Sequence, residues 1–202
     1  MAQKVLLHAC CAVCAGYPSQ LLKELGYELE ILFYNPNIYP LEEYERRKNE
    51  LIRFCEKEDI ILTIIEDDSS VYYNCIKGLE SEPEKGSRCE KCFELRLEKT
   101  ALLAIKHDAD FFSTTLSVSP HKNFQQIKKV ATALAQKYNI SYLEMDFKKQ
   151  DGFKKTNAIA KEYDFYRQDY CGCEFSIRKN TPQLNCNLAC KQKSNLVQFL
   201  VD

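Results

Sequence analysis

Lys4-Val5-Leu6-Leu7-His8-Ala9-Cys10-Cys11-Ala12-Val13-Cys14 is the stretch from which the rest of the chain is read. Its first half is a short apolar run of the kind that forms a buried strand, and its second half is a turn holding three thiols. Comparable strand-like runs recur at Leu29 to Tyr34, Ile60 to Glu66, Phe111 to Leu116 and Ser141 to Met145. Between them, apolar residues repeat at helical spacing in Pro18 to Leu25, Leu41 to Lys57, Glu90 to His107, Asn123 to Tyr138 and Gly152 to Glu162. Strand alternating with helix predicts an α/β chain, a Rossmann-like three-layer fold with a mostly parallel sheet. Residues 68–88, acidic and carrying Pro83 and Gly86, read as a long loop. Everything after Asp164 reads as irregular. The expectation is therefore one domain, with a core at about residues 1–164 and a cysteine-bearing C-terminal appendage at residues 165–202.

Composition bounds the function. A chain of 202 residues with 45% hydrophobic and 28% charged residues is globular, neither collagen-like nor disordered. No run approaches the roughly 18 apolar residues of a membrane span. The apolar stretch before His8 is too short for a secretory leader, which predicts a cytoplasmic protein with no membrane partner. The formal net charge of -1 hides an asymmetry. Residues 1–101 carry 13 Lys and Arg against 19 Asp and Glu, a net -6, and residues 102–202 carry 15 against 10, a net +5. A basic half is compatible with a phosphate-rich partner, because phosphate neutralisation is local.

Eleven cysteines in a cytoplasmic chain point to metal or redox chemistry. Seven are grouped: Cys10, Cys11 and Cys14; Cys89 and Cys92; Cys171 and Cys173. In a parallel sheet the working site lies beyond the carboxyl ends of the strands, where Cys10, Cys11 and Cys14 stand. A nucleotide-binding protein would place its phosphate cradle there, but this turn has no glycine before Gly16. Cys89 and Cys92 open a helix, so their sulfurs can converge on one group. An iron-sulfur cluster, a structural zinc and free thiols or disulfides are the readings of these cysteines. Adjacent Cys10 and Cys11 favour the cluster, since neighbouring side chains diverge too far for one tetrahedral ion. Cys171-Gly172-Cys173 suits a strained, labile disulfide or a metal clamp. Cys55, Cys75, Cys186 and Cys190 are expected to be structural.

Polar segments after later strands complete the candidate site. Thr114-Thr115-Leu116-Ser117-Val118-Ser119-Pro120-His121-Lys122-Asn123 combines hydroxyls, a lysine and a helix start, suited to a phosphate or a sugar, or to plain N-capping by Ser119. Asn35-Pro36-Asn37-Ile38 holds the equivalent place after the second strand.

Five segments in this order resemble the QueH-type epoxyqueuosine reductases: His8 to Cys14, Tyr34 to Ile38, Arg88 to Leu97, Thr114 to Pro120, and Tyr166-Arg167-Gln168-Asp169-Tyr170-Cys171-Gly172-Cys173. The resemblance covers Val5 to about Ser176, with Val13 standing where the family is expected to have proline. It implies a HUP-type fold and reduction of epoxyqueuosine to queuosine at the tRNA wobble position, without cobalamin and with an external electron donor. By position, Cys10, Cys11, Cys89 and Cys92 match the ligands of a [4Fe-4S] cluster, and Cys171 with Cys173 match a redox pair. Cys14 is then a spare thiolate that joins the pair in holding a second mononuclear iron, unless the pair works as a dithiol. Asp169 and Tyr170 are the expected proton donors. Asn35, Ser117, Ser119, Lys122, Asn123 and Arg167 are the expected substrate contacts, with Lys128, Lys129, Lys154 and Lys155 on a basic rim. The readings set against this one are a sulfur-transferring tRNA enzyme of the same fold class and a zinc-stabilised RNA-binding module without catalysis.

Overall fold

The computed structural model describes residues 2–177 and the backbone of residues 197–199. The Lys4–His8 run forms strand β1, buried on both faces as parallel central strands are. Beside it lie β2 (Glu28–Phe33), β3 (Ile61–Ile64), β4 (Phe111–Thr114) and β5 (Ser141–Tyr142), all parallel, in the order β5-β4-β1-β2-β3. A three-residue β6 (Val197–Phe199) extends the β3 edge. Register fixes Val5 between Leu29 and Phe111, so the apolar runs form continuous layers.

Alternation along β1 sends its side chains into two cores. Val5 and Leu7 pack with Leu22, Phe54, Ile159 and Phe165, under helices α1 (Ala12–Glu24), α2 (Leu41–Lys57) and α6 (Gly152–Glu162). Leu6 packs with Phe93, Leu97, Ile127 and Leu134, under α4 (Ser87–Lys106) and α5 (Phe124–Tyr138). The expected three-layer α/β architecture is the one observed, with its sheet wholly parallel. Because β1 is flanked by β2 on one side and β4 on the other, the crevice at its carboxyl end lies between the turns after β1 and after β4.

Several expectations are corrected. The 68–88 segment contains a helix, α3 (Ser70–Cys75), held by Tyr72 and Ile76 against Cys92 and Cys173. Helix α1 begins at Ala12, immediately after the adjacent thiols, and Pro18 sits inside it. Ser119 does not cap α5; its hydroxyl accepts the His121 amide in a local turn, while Asn123 Oδ1 accepts from Gln125 N at 2.9 Å. The segment after Asp164 includes a short 3-10 turn at Glu174–Ser176 and the β6 strand.

Two glycines let α6 reach its seat. A Cβ on Gly16 would lie 2.7 Å from Ile159 Cγ2, so the α1–α6 approach depends on its absence. A Cβ on Gly152 would lie 1.8 Å from the Phe147 carbonyl oxygen, a backbone atom that cannot step aside. Gly152→Ala is expected to destabilise the chain by about 2–3 kcal/mol, lowering Tm by roughly 5–10 °C in thermal unfolding.

Candidate active site

The three N-terminal thiols are placed by the strand-to-helix turn. Cys11 is the N-cap of α1 with extended backbone, and its side chain makes no capping bond, so the sulfur stands at the positive end of the helix. Cys14 falls in the first turn of α1, and the Cys10, Cys11 and Cys14 sulfurs all lie within 4.8 Å of one another. Among the described residues this is the one such group of three metal-ligating side chains. The Cys10 and Cys11 sulfurs are 3.8 Å apart, and Gln168 Nε2 donates to Cys11 Sγ at 3.0 Å.

The protons of the three thiols are shared unequally. Hydrogen bonds from Cys11 and Cys14, with Lys122 and Arg47 nearby, hold the Cys10 thiol well below its usual range against the cost of burial. The same bonds to Cys10 push Cys11 up to about 12, and Cys14 is raised as well. Cys10 is thus the first sulfur to become an anion. Beneath the turn, buried His8 is pushed down to about 3 by desolvation and by Arg96. It is neutral, with Nε2 donating to the Tyr34 carbonyl at 3.2 Å and Nδ1 accepting from the Thr114 hydroxyl at 3.0 Å.

The other grouped thiols converge from two segments. Cys89 and Cys92 stand three residues apart on the first turns of α4, and the Lys85 amide donates to Cys89 Sγ. Burial raises both, Cys92 to about 12. With Cys171, Cys173, Tyr72, Arg88 and Arg96 they line a narrow cavity whose enclosed volume is about 20 Å³. A larger cavity of about 370 Å³ adjoins it, lined by Cys10, Cys14, Ser119, Lys122, Phe153, Thr156, Arg167, Gln168 and Asp169 among others. Cys171, His121, Lys122 and Glu84 border both.

Three cations surround these sulfurs. Burial works against the charge of Arg47, Arg96 and Lys122, yet each is held above its usual range by neighbouring thiol sulfurs, with Glu43 adding to the effect at Arg47. Arg96 is 2% exposed and its Nη2 has no partner, a buried donor that calls for negative charge. Arg47 bonds the carbonyls of Cys171 at 3.1 Å and Tyr170 at 3.3 Å and pairs with Glu43 at 2.7 Å. The Cys171-Gly172-Cys173 hairpin is clamped further by the Tyr39 amide on the Gly172 carbonyl. Gly172 takes a φ of +127°, open to glycine alone in practice, and a Cβ there would meet Arg47 Nη1 at 3.0 Å.

Two of the expected substrate contacts, Asn35 and Ser117, lie outside the lining of both cavities. Asn35 is fully buried, donating to the Ala9 carbonyl at 3.0 Å and accepting from Arg96, and it borders neither cavity. Ser117 is spent on the Met145 carbonyl and the Phe147 amide. Asn123 lines the smaller cavity; Ser119 and Arg167 line the larger, and Lys122 lines both. Lys128 and Lys129 are ion-paired with Glu144 and Glu90 at 2.7 Å each. Asp169 and Tyr170 both line the larger cavity, with the Tyr170 hydroxyl donating to the Tyr39 carbonyl. Cys55 is buried in the core, Cys75 donates to the Lys91 carbonyl, and Cys186 and Cys190 lie outside the described residues.

Residues 5–179 match the protein family described as epoxyqueuosine reductase QueH. The chain belongs to this family. Its span takes in all seven grouped thiols. The epoxyqueuosine reductase QueH of Acinetobacter baylyi is 42% identical over 88% of this chain and 82% of its own length. That of Haemophilus influenzae is 41% identical over 87% and 72%, and that of Thermotoga maritima 34% over 86% and 90%. Among solved structures, the predicted subunit of a tRNA methyltransferase from Methanocaldococcus jannaschii is similar with a TM-score of 0.54 at 14% identity, over 77% of this chain and 74% of that one. The U34-tRNA thiolase NcsA of Methanococcus maripaludis, solved with its [4Fe-4S] cluster, has a TM-score of 0.53 at 12% identity, over 90% and 61%. At these identities the two structures establish the fold alone, a Rossmann-like parallel α/β arrangement.

The set missed from sequence is Arg47, Arg96, Gln168 and Thr156. Arg47 had a signal. With Glu43 it continues the spacing of buried Leu51, Phe54 and Cys55, so a charged pair occupies the apolar stripe of α2.

Proposed function

We propose that this chain reduces the epoxide of epoxyqueuosine to the alkene of queuosine at the wobble position of tRNA, using an iron-sulfur cluster and redox cysteines and no cobalamin. The observation that carries this reading is the family match over residues 5–179. In the reaction the epoxide oxygen leaves as water and its two carbons become the alkene, which takes up two electrons and two protons.

The residues fit a [4Fe-4S] group. Buried, soft sulfurs stand beside a buried guanidinium nitrogen without a partner, a donor set suited to an anionic iron-sulfur centre. The solved thiolase of the same fold carries such a cluster. Cys10, Cys11, Cys89 and Cys92 hold it by family position, with Cys14 close enough to take part. When bound, the cluster supplies electrons one at a time.

Cys171 and Cys173 act as a dithiol. Closing to a disulfide, they release two electrons and two protons, which matches the demand of the epoxide, and an external electron donor then reopens the bond. Arg47 holds their hairpin in place. Asp169, facing the larger cavity, passes protons to the leaving oxygen. Lys122, Lys154, Lys155 and Arg167 bind the tRNA backbone around that cavity.

Cys171→Ser and Cys173→Ser test the pair against the alternative of a second mononuclear iron shared with Cys14. Lost queuosine formation with unchanged iron supports the dithiol, whereas loss of one iron per chain supports the second metal. Activity near that of the parent in both variants removes the pair from the chemistry. For the reaction itself, the chain is expressed in bacteria lacking their own epoxyqueuosine reductase. Queuosine is expected in their tRNA, and persistent epoxyqueuosine contradicts the proposal.

A further inference from the structure

We infer that Phe153 is a stacking platform for a nucleobase of the RNA strand entering the larger cavity. The inference rests on the tRNA reading above and adds the residue that grips the base. Phe153 is the second residue of α6 and is 42% exposed, whereas Thr156, Ile159 and Ala160 of the same helix are buried. The helix therefore seats itself without the Phe153 ring. Of the large apolar side chains left exposed, including Leu25, Leu41, Leu102 and Ile105, Phe153 alone lines either cavity among the described residues.

Its surroundings are those of a base and a phosphate rather than an apolar ligand. Arg167 and Lys122 line the same cavity, and Lys154 follows Phe153 in the helix; none of the three is ion-paired to a carboxylate among the described residues. Glu84 and Asp169 are the carboxylates in the lining. Thr156 Oγ1, in a residue 1% exposed, and Gln168 Oε1 are buried there without a hydrogen-bond partner. An aromatic face, cations without a carboxylate partner and unsatisfied polar atoms around one opening suit an unstacked nucleotide: the ring takes the π-face, Arg167 and Lys154 take phosphate, and the polar atoms take base or sugar edges.

The test measures binding of an anticodon stem-loop RNA to the iron-loaded chain across a salt series. Phe153→Ala is expected to weaken binding about 5- to 100-fold without changing the salt slope, and Phe153→Trp to restore it. Lys154→Ala is expected to lower the slope instead. Iron content and Tm equal to the parent's confirm that Phe153→Ala still folds. Phe153→Leu, which keeps apolar bulk without a π-face, is expected to bind as weakly as the alanine variant. Parent-like binding by either the alanine or the leucine variant overturns the stacking role while leaving the reductase reading intact. A parent chain that binds no RNA overturns both.

Discussion

Cys10→Ser strips the chain of most of its iron after anaerobic reconstitution and lowers queuosine formation by more than about 100-fold, since loss of even an outer partner of a metal ligand commonly costs 10- to 100-fold. The argument is local. Cys10 is 5% exposed, accepts from both neighbouring thiols, and is the sulfur that Lys122 and Arg47 stabilise as an anion. Serine keeps the shape but offers a harder, shorter and far less acidic donor. Iron analysis and activity are read beside Cys55→Ser, whose thiol sits in the core beside Leu51 and Phe54. That control is expected to lose about 1–3 kcal/mol of stability by burying a hydroxyl, and to keep its iron. Equal iron in Cys10→Ser and the parent would remove Cys10 from the metal centre.

Arg47→Met separates holding the fold from holding the redox hairpin. The guanidinium is 1% exposed and pairs with buried Glu43, so its loss leaves an uncompensated carboxylate and costs about 3–5 kcal/mol. Glu43→Gln in the same chain removes that charge and is expected to recover most of the stability. Activity is not expected to return, because the Cys171 and Tyr170 carbonyls still lack their donor and the pair is no longer held. Recovery of Tm and activity together would make Arg47 a purely structural residue.

Much of this could be read from the chain. Buried parallel strands are continuous apolar runs, and the thiols sit where such a sheet opens, so β1 and its turn located the site. The start of α1 was obscured by Pro18. Proline is favoured at a first helical turn, but here it lies within the helix, so the place of Cys14 in the first turn of α1 was hidden. Helix α3 has six residues, too short for periodicity, and is held by packing of Tyr72 and Ile76 and by the Cys75 bond to the Lys91 carbonyl. Asn35 and Ser117 illustrate the other limit. Polar residues at strand ends carry no sequence mark of their partners, and only the folded chain shows their bonds to the Ala9 and Met145 carbonyls.

The most direct measurement gives the anaerobically purified, iron-loaded chain and a chemical reductant to tRNA bearing epoxyqueuosine, followed by nucleoside mass analysis. The predicted result is queuosine, lighter than its precursor by one oxygen atom, formed over many turnovers and only when iron and reductant are both present. Epoxyqueuosine recovered unchanged from the fully iron-loaded, reduced protein would contradict the account.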